Sequence, residues 1–144
     1  MPTPTSPLCD SLLHTRFTKL AAPFASERNK AWRRRSEWIT GKFSEVYVRL
    51  GLRYYHGTQY FMVDIANIKV QEEYQHQGIL KNFLKFLHAS GYPIFVENVM
   101  NSVLEQFLRK AGFECLESGP SFFPESIVCP PSFILFPEQP LNID

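Results

Sequence analysis

Gln75-His76-Gln77-Gly78-Ile79-Leu80 decides how this chain is read, because it follows a strand-like run, residues 60–70, and opens a helix-like run, residues 79–88. The first turn of a helix carries backbone N–H groups without intrahelical partners and the positive end of the helix dipole. A polar glycine turn leading into one is therefore a place where a pyrophosphate can be held. By itself the stretch leaves two readings open, a phosphate cradle and an ordinary glycine turn, and the flanking sequence has to separate them.

Upstream, the hydrophobic period is two from residue 43. Phe43, Glu45, Tyr47 and Arg49 alternate with Ser44, Val46, Val48 and Leu50, the pattern of a half-buried strand. Gly51, Gly57 and Thr58 punctuate two further extended runs, residues 52–55 and 59–70, with Gly51 marking either a bulge or a hairpin. Downstream, the helix 79–90 is stopped by Gly91 and Pro93, and residues 94–96 form a short apolar strand. After a turn at 98–101, Val103, Leu104, Phe107, Leu108 and Ala111 keep helical spacing up to Gly112, and residues 113–117 are extended. A loop holding Pro120, Pro124, Pro130 and Pro131 leads to a last strand at 132–136.

Ahead of the sheet, Leu12, Leu13, Phe17 and Leu20 predict a helix over 8–20, broken by Pro23. Ser26 is placed to cap a second helix running to about Ile39 and stopped by Gly41. On that helix Trp32, Trp38 and Ile39 share a face, and Arg33, Arg34 and Arg35 occupy the rest. The arginines are either a solvated face or a contact surface for an acidic partner or nucleic-acid phosphates. Residues 1–7, with Pro2, Pro4 and Pro7, read as a disordered lead, and 8–144 as one domain with no internal repeat.

Composition bounds the function. The 144 residues, 44% hydrophobic and 15% aromatic, suffice for a sizeable core and exclude a disordered chain. A formal net charge of +1 gives no global drive toward nucleic acid or anionic membrane, although five of the fifteen basic residues crowd into 28–35. Cys9, Cys115 and Cys129 have no metal-like spacing and fit reduced thiols, so no metal is expected. No apolar run approaches the roughly 20 residues that span a bilayer, and the start lacks a signal-peptide pattern. A cytoplasmic protein without membrane contact is the expectation.

At this point two motifs carry a resemblance. Residues 70–79, Val-Gln-Glu-Glu-Tyr-Gln-His-Gln-Gly-Ile, followed by residues 101–113, from Asn101 through an apolar helix to Gly112-Phe113, resemble the GNAT superfamily of acyl-CoA-dependent N-acyltransferases. That family's first signature is Gln or Arg, two residues, Gly, one residue, then Gly or Ala; its second is an Asn, an apolar helix and a closing Gly-Phe. The resemblance covers residues 64–113 and implies a single-domain α/β fold. Its mixed sheet has two neighbouring parallel strands, here 59–70 and 94–99, that splay into a V, with helices flanking them. Room for only two helices before the first clear strand implies that the family's opening strand is missing, which leaves the sheet edge and a homodimer contact open.

The resemblance also implies a cofactor and a site. The pantetheine arm of acetyl-CoA would lie in the V against the backbone of Ile68, Lys69 and Val70. Its pyrophosphate would sit on Gln75, His76, Gln77, Gly78, Ile79 and Leu80, with Asn101 near the pantetheine and Phe107 beside it. The Asn also reads as a plain helix N-cap.

An amine with a pKa of about 10.4 is protonated and must lose a proton before it attacks a thioester. The family often uses a carboxylate on the strand before the phosphate loop as that base, and Asp64 stands eleven positions before Gln75. Alternation with Ala66, Ile68 and Val70 sets its face, and its apolar neighbours Phe61, Met62, Val63 and Ile65 argue for a raised pKa; an ion pair with Lys69 or an arginine is the alternative. Glu97, on the partner strand, is the second candidate.

Two departures stand out. Leu108 occupies the position of the family's usual acid, a tyrosine, leaving Tyr54, Tyr55, His56 and Tyr60 as other donors. Leu80 replaces the small residue that lets the cofactor approach closely, and His76 replaces a frequent glycine. The expectation is direct acetyl transfer from acetyl-CoA to a primary amine of a small molecule or protein. Its alternatives are a GNAT-fold interaction protein docking through the basic helix, and an acyltransferase acting on a nucleic-acid base through Arg33, Arg34 and Arg35.

Overall fold

The alternation that begins at Phe43 builds two long antiparallel strands, β2 (Ser44–Tyr55) and β3 (Thr58–Val70), which form the middle of a mixed sheet. A computed structural model of the chain describes residues 9–26, 35–75, 77–97, 99, 102–116 and 131–143. The other elements are α1 (Ser11–Ser26), β1 (Arg35–Thr40), α2 (Ile79–Ala89), β4 (Ile94–Val96), α3 (Ser102–Ala111), β5 (Glu114–Leu116) and β6 (Ser132–Leu135). The six strands lie in the order β1-β2-β3-β4-β6-β5, and β3–β4 is the parallel pair. The α/β architecture with two parallel neighbours is the one expected.

The β2–β3 turn is made by His56 and Gly57, both at positive φ (48° and 79°). That conformation matches the twist of a two-residue hairpin. β2 passes straight through Gly51, which faces Met62 in register, so Gly51 is neither hairpin nor bulge. The irregularity lies elsewhere: Tyr47 faces Asn67 and Val48 faces Ile65, leaving Ala66 as the extra residue of a β-bulge in β3. A bulge bends its strand and reverses the side-chain alternation beyond it. Asp64 and Ile68 therefore face opposite sides of the sheet, contrary to the simple alternation.

One face of the sheet carries Val46, Val48, Leu50, Val63, Ile65, Ile94, Val96, Phe133 and Leu135. Against it pack Leu13 and Phe17 of α1, Phe83, Leu84 and Leu87 of α2, and Leu108 and Ala111 of α3. Phe17, Phe83 and Phe133 are fully buried there, and truncating such a ring costs about 3–5 kcal/mol. The opposite face has a smaller apolar patch, Met62, Phe95 and Ile134, bordered by Tyr55, Tyr60 and Phe136. Phe136 lies 5.1 Å from the Tyr55 ring and 4.8 Å from the Tyr60 ring, and Tyr55 on β2 donates a hydrogen bond to Glu114 on β5. β3, β4 and β6 stand between those two strands, so the sheet curls and this second face is concave.

Three expectations for the N-terminal third are corrected. α1 runs on through Pro23 to Ser26. A proline removes one intrahelical bond, and the helix is held by Leu13, Phe17, Leu20 and Ala21 in the core. Residues 35–40 are a strand, not the end of a helix. Trp38, Ile39 and Thr40 are β-formers, and Ile39 buries its side chain opposite Val46 in the β1–β2 ladder. Arg35 consequently sits on an edge strand, 3.0 Å from Glu37, while Arg33, Arg34 and Trp32 lie outside the described residues. No described strand precedes α1.

Gly41 belongs to the β1–β2 turn, where the Asp10 carboxylate closes the joint. Asp10 Oδ1 accepts from the N–H of Leu13 and Lys42, and Oδ2 from the Phe43 N–H (2.9 Å) and the Ser44 hydroxyl (2.8 Å). A Cβ on residue 41 would lie 2.4 Å from Oδ2, which is why a glycine stands there. The hairpin then reaches the chain after β3, since the Gln71 N–H donates to the Phe43 carbonyl and the Phe43 ring packs tilted against Tyr74, centroids 4.3 Å apart.

Candidate functional site

β3 and β4 run together for three rungs, Val63–Ile94, Asp64–Phe95 and Ile65–Val96, closed by the Glu97 N–H on the Ile65 carbonyl at 3.1 Å. Beyond that rung they part. The Val99 N–H turns to the carbonyl of Pro131, beside β6, while the bulge at Ala66 carries β3 the other way toward Val70. Among the described residues the backbone of 66–70 then has no β4 partner, so a sheet edge opens inside the sheet. The divergence follows from sequence: β4 has only three buried apolar residues before the polar Glu97.

At the wide end of this V the chain leaves β3 through a 3-10 turn, Glu72–Tyr74, and enters α2 at Gly78. Gly78 is the N-cap, left-handed at φ 95°, without a side-chain cap bond, and the first intrahelical bond is Asn82 N–H to its carbonyl at 2.9 Å. A left-handed residue is one that glycine adopts without strain. The N–H groups of the first turn, Ile79 to Lys81, are thus available to an anion.

The expected cofactor contacts divide into two sorts. Ile68 packs into the core, Lys69 is exposed with its ammonium 4.9 Å from the Trp38 ring, and Val70 offers its carbonyl to Gln75 Nε2 at 3.1 Å. Gln77 Nε2 bonds the Glu73 carbonyl at 2.8 Å, so both glutamines fold back to shape their own loop. Ile79 is buried, and Leu80 packs against the core, which takes its bulk away from the helix start. Phe107 also packs on the core. His76 and Asn101 lie outside the described residues.

The two candidate bases come together on the concave face. Asp64, whose side chain is 3% exposed, faces Arg53 with Oδ2 2.7 Å from Nε and 2.6 Å from Nη2. Glu97, 11% exposed at the last rung, accepts from Arg53 Nη2 at Oε1 and from Arg49 Nη1 at Oε2, 2.9 Å. The Arg53 guanidinium lies 4.2 Å from the centre of the Phe95 ring. The surroundings of Asp64 are therefore an ion pair, the alternative left open by the sequence, and not an apolar pocket alone.

Arg49 and Arg53 were missed as site residues. They carry a faint signal, recurring with Tyr47 on one face of β2, but which residue of β3 they meet depends on register and on the bulge. Leu108 is fully buried in the core. The other proposed acids stand at the far end of β3: Tyr60 is six residues from Ala66, about 20 Å along a strand. Tyr54 is exposed there, and Tyr55 is held protonated up to about 12 by its hydrogen bond to Glu114.

Among the described residues no group of three or more His, Cys, Asp or Glu could hold a metal, and no helix is long and apolar enough to cross a membrane. No protein-family model and no curated protein matches the chain. Several solved structures resemble it, among them the following three. A mutant of the toxin AtaT bound to the C-terminus of the antitoxin AtaR and acetyl-CoA is 14% identical, over 84% of this chain and 78% of that one, at a TM-score of 0.45. Naa50 of Arabidopsis thaliana, in complex with a bisubstrate CoA analogue, is 17% identical, over 65% and 71%, at 0.41. The KacTA–DNA complex is 10% identical, over 84% and 79%, at 0.46. Likeness at this level says nothing of chemistry.

Proposed function

We propose that the protein is an acyl-CoA-dependent N-acyltransferase of the GNAT type, passing an acetyl group directly from acetyl-CoA to a primary amine. The observation that carries this reading is the parting of β3 from β4 at Ile65 and Glu97, with the left-handed Gly78 and the open first turn of α2 at the wide end. A free strand edge fits a ligand with amide groups, and a helix start fits one with phosphates; a pantetheine diphosphate has both. When bound, acyl-CoA supplies a thioester carbonyl activated toward amines.

In this reading the N–H groups of Ile79, Leu80 and Lys81 hold the diphosphate, and the edge of Ile68, Lys69 and Val70 lines the arm. A backbone N–H of that edge also donates to the carbonyl oxygen where negative charge develops. Glu97 takes the proton from the acceptor amine, because it stands at the last rung and is more exposed than Asp64. A thiol ionises with a pKa of about 8.5, so the departing thiolate needs no dedicated acid. A buried Leu108 is compatible with that. No described thiol lies on β3 or β4, which favours direct transfer over a covalent intermediate.

A second reading, an acyl-CoA-binding protein without transfer activity, is favoured by one feature: Arg53 bonds Asp64, and Arg49 and Arg53 bond Glu97. The two separate in solution. Acetyl-CoA at 100 times its dissociation constant stabilises a binder by about 2.7 kcal/mol, read as a thermal shift. Thiol release with a panel of primary amines then reports transfer, and Glu97→Gln should abolish it while keeping the shift. No shift in the wild-type protein overturns both readings; a shift without thiol release selects the second.

A further inference from the structure

Four charged side chains, two from β2, one from β3 and one from the residue just past β4, meet where the V opens, and Arg53 is the one shared by both carboxylates. Asp64 and Glu97 project from neighbouring strands onto the same face, so without a cation between them two like charges would be held side by side. A guanidinium suits that position because its planar fork presents several donors in fixed directions, whereas an ammonium is a single point of charge. Arg53 directs Nε and Nη2 at Asp64 Oδ2, and Nη2 also meets Glu97 Oε1. The Phe95 ring at 4.2 Å from its Cζ limits sideways movement. Arg49 differs: among the described residues it holds Oε2 of Glu97 alone, it is 36% exposed, and it leans on the Tyr47 ring at 5.6 Å.

From this asymmetry we infer that Arg53 is the positioning residue of the site. Anchored by Asp64, it holds Oε1 of Glu97 so that Oε2 is the oxygen presented to the acceptor, and Asp64 acts through Arg53. Arg49 is the contact that yields when Oε2 takes the proton, which leaves the amine nitrogen and forms the O–H bond at Oε2. The inference rests on the acyl-transfer reading and adds to it an order among the four residues: Asp64 holds Arg53, Arg53 holds Glu97, and Glu97 meets the amine.

The test is steady-state thiol release from acetyl-CoA, with the acceptor that wild type uses best, for Arg53→Lys, Arg53→Ala, Asp64→Asn and the double variant Asp64→Asn/Arg53→Ala. Circular dichroism identifies the variants that fold. A misplaced base costs about 100-fold in kcat, so Arg53→Lys and Arg53→Ala should each lose on that order while KM for acetyl-CoA stays within about twofold. Millimolar guanidinium should restore part of the Arg53→Ala rate. Asp64→Asn should slow the wild type but add little to Arg53→Ala, the signature of two residues acting in series. An Arg53→Lys variant with wild-type kcat, or an Asp64→Asn effect that adds in full to Arg53→Ala, overturns the inference alone. A wild type that binds acetyl-CoA without thiol release overturns the transfer reading itself, so the two failures are distinct.

Discussion

Replacing Asp10 by alanine should be the most damaging single change outside the apolar core. The carboxylate is 1% exposed and accepts from Leu13 N–H, Lys42 N–H, Phe43 N–H and the Ser44 hydroxyl, three of the four at 2.9 Å or less. Hydrogen bonds to a charged group each contribute about 1.5–3 kcal/mol, against which stands the cost of burying the charge, several kcal/mol. A net loss of about 3–4 kcal/mol follows, near the upper end of what one substitution does. For a domain of this size that lowers Tm by roughly 10 °C. The same joint supports the approach to α2 through the Gln71–Phe43 bond, so acetyl-CoA affinity should fall with it.

The pH dependence has a definite sign. Burial pushes the Asp10 carboxyl up, but the bonds from Lys42, Phe43, Ser44 and Leu13 outweigh it and hold the group below its ordinary 3.8. A carboxyl whose pKa is lower folded than unfolded stabilises above the unfolded value and loses that contribution as pH falls through the folded one. In thermal melts the gap between wild type and Asp10→Asn should therefore hold from neutral pH down to the ordinary carboxylate value of 3.8 and narrow only as pH falls further. A Tm for Asp10→Ala within about 2 °C of wild type at neutral pH would refute the argument.

Three further outcomes are expected. Gly78→Ala forces a side chain to φ 95°, costing about 1–2 kcal/mol, and should weaken acetyl-CoA binding by calorimetry about tenfold; unchanged affinity would remove the helix start from the site. Leu108→Tyr, which restores the acid the resemblance implies, should lower Tm through overpacking of about 1–3 kcal/mol and leave thiol release no faster, because position 108 points into the core. In an alkaline absorbance titration, one tyrosine of the wild type should ionise near 12 through the Tyr55–Glu114 hydrogen bond, and in Glu114→Gln it should return to its ordinary value of about 10.

Where periodicity and punctuation agree, the sequence alone marks the elements. α2 and α3 begin and end within a residue of the positions their apolar spacing and closing glycines mark, and the short strands at 94–96 and 132–135 follow from the apolar runs 94–96 and 133–136. Residues 35–40 misled because their apolar residues, Trp38 and Ile39, are adjacent and satisfy either period; pairing with β2 settled them as a strand. Pro23 misled because a single lost bond is a local penalty, while the helix around it is held by distant contacts.

The turn at Gly78, the apolar faces and the two acidic candidates on neighbouring strands are properties of local sequence, since each depends on residues a few positions apart. Which side Asp64 faces, that β3 and β4 part at Ile65, and that Arg49 and Arg53 hold Glu97 depend on one unpaired residue, Ala66, and on the register between strands far apart in the chain. A shift of one residue turns every side chain beyond it to the other face, and no spacing along the sequence records where the partner strand places that shift.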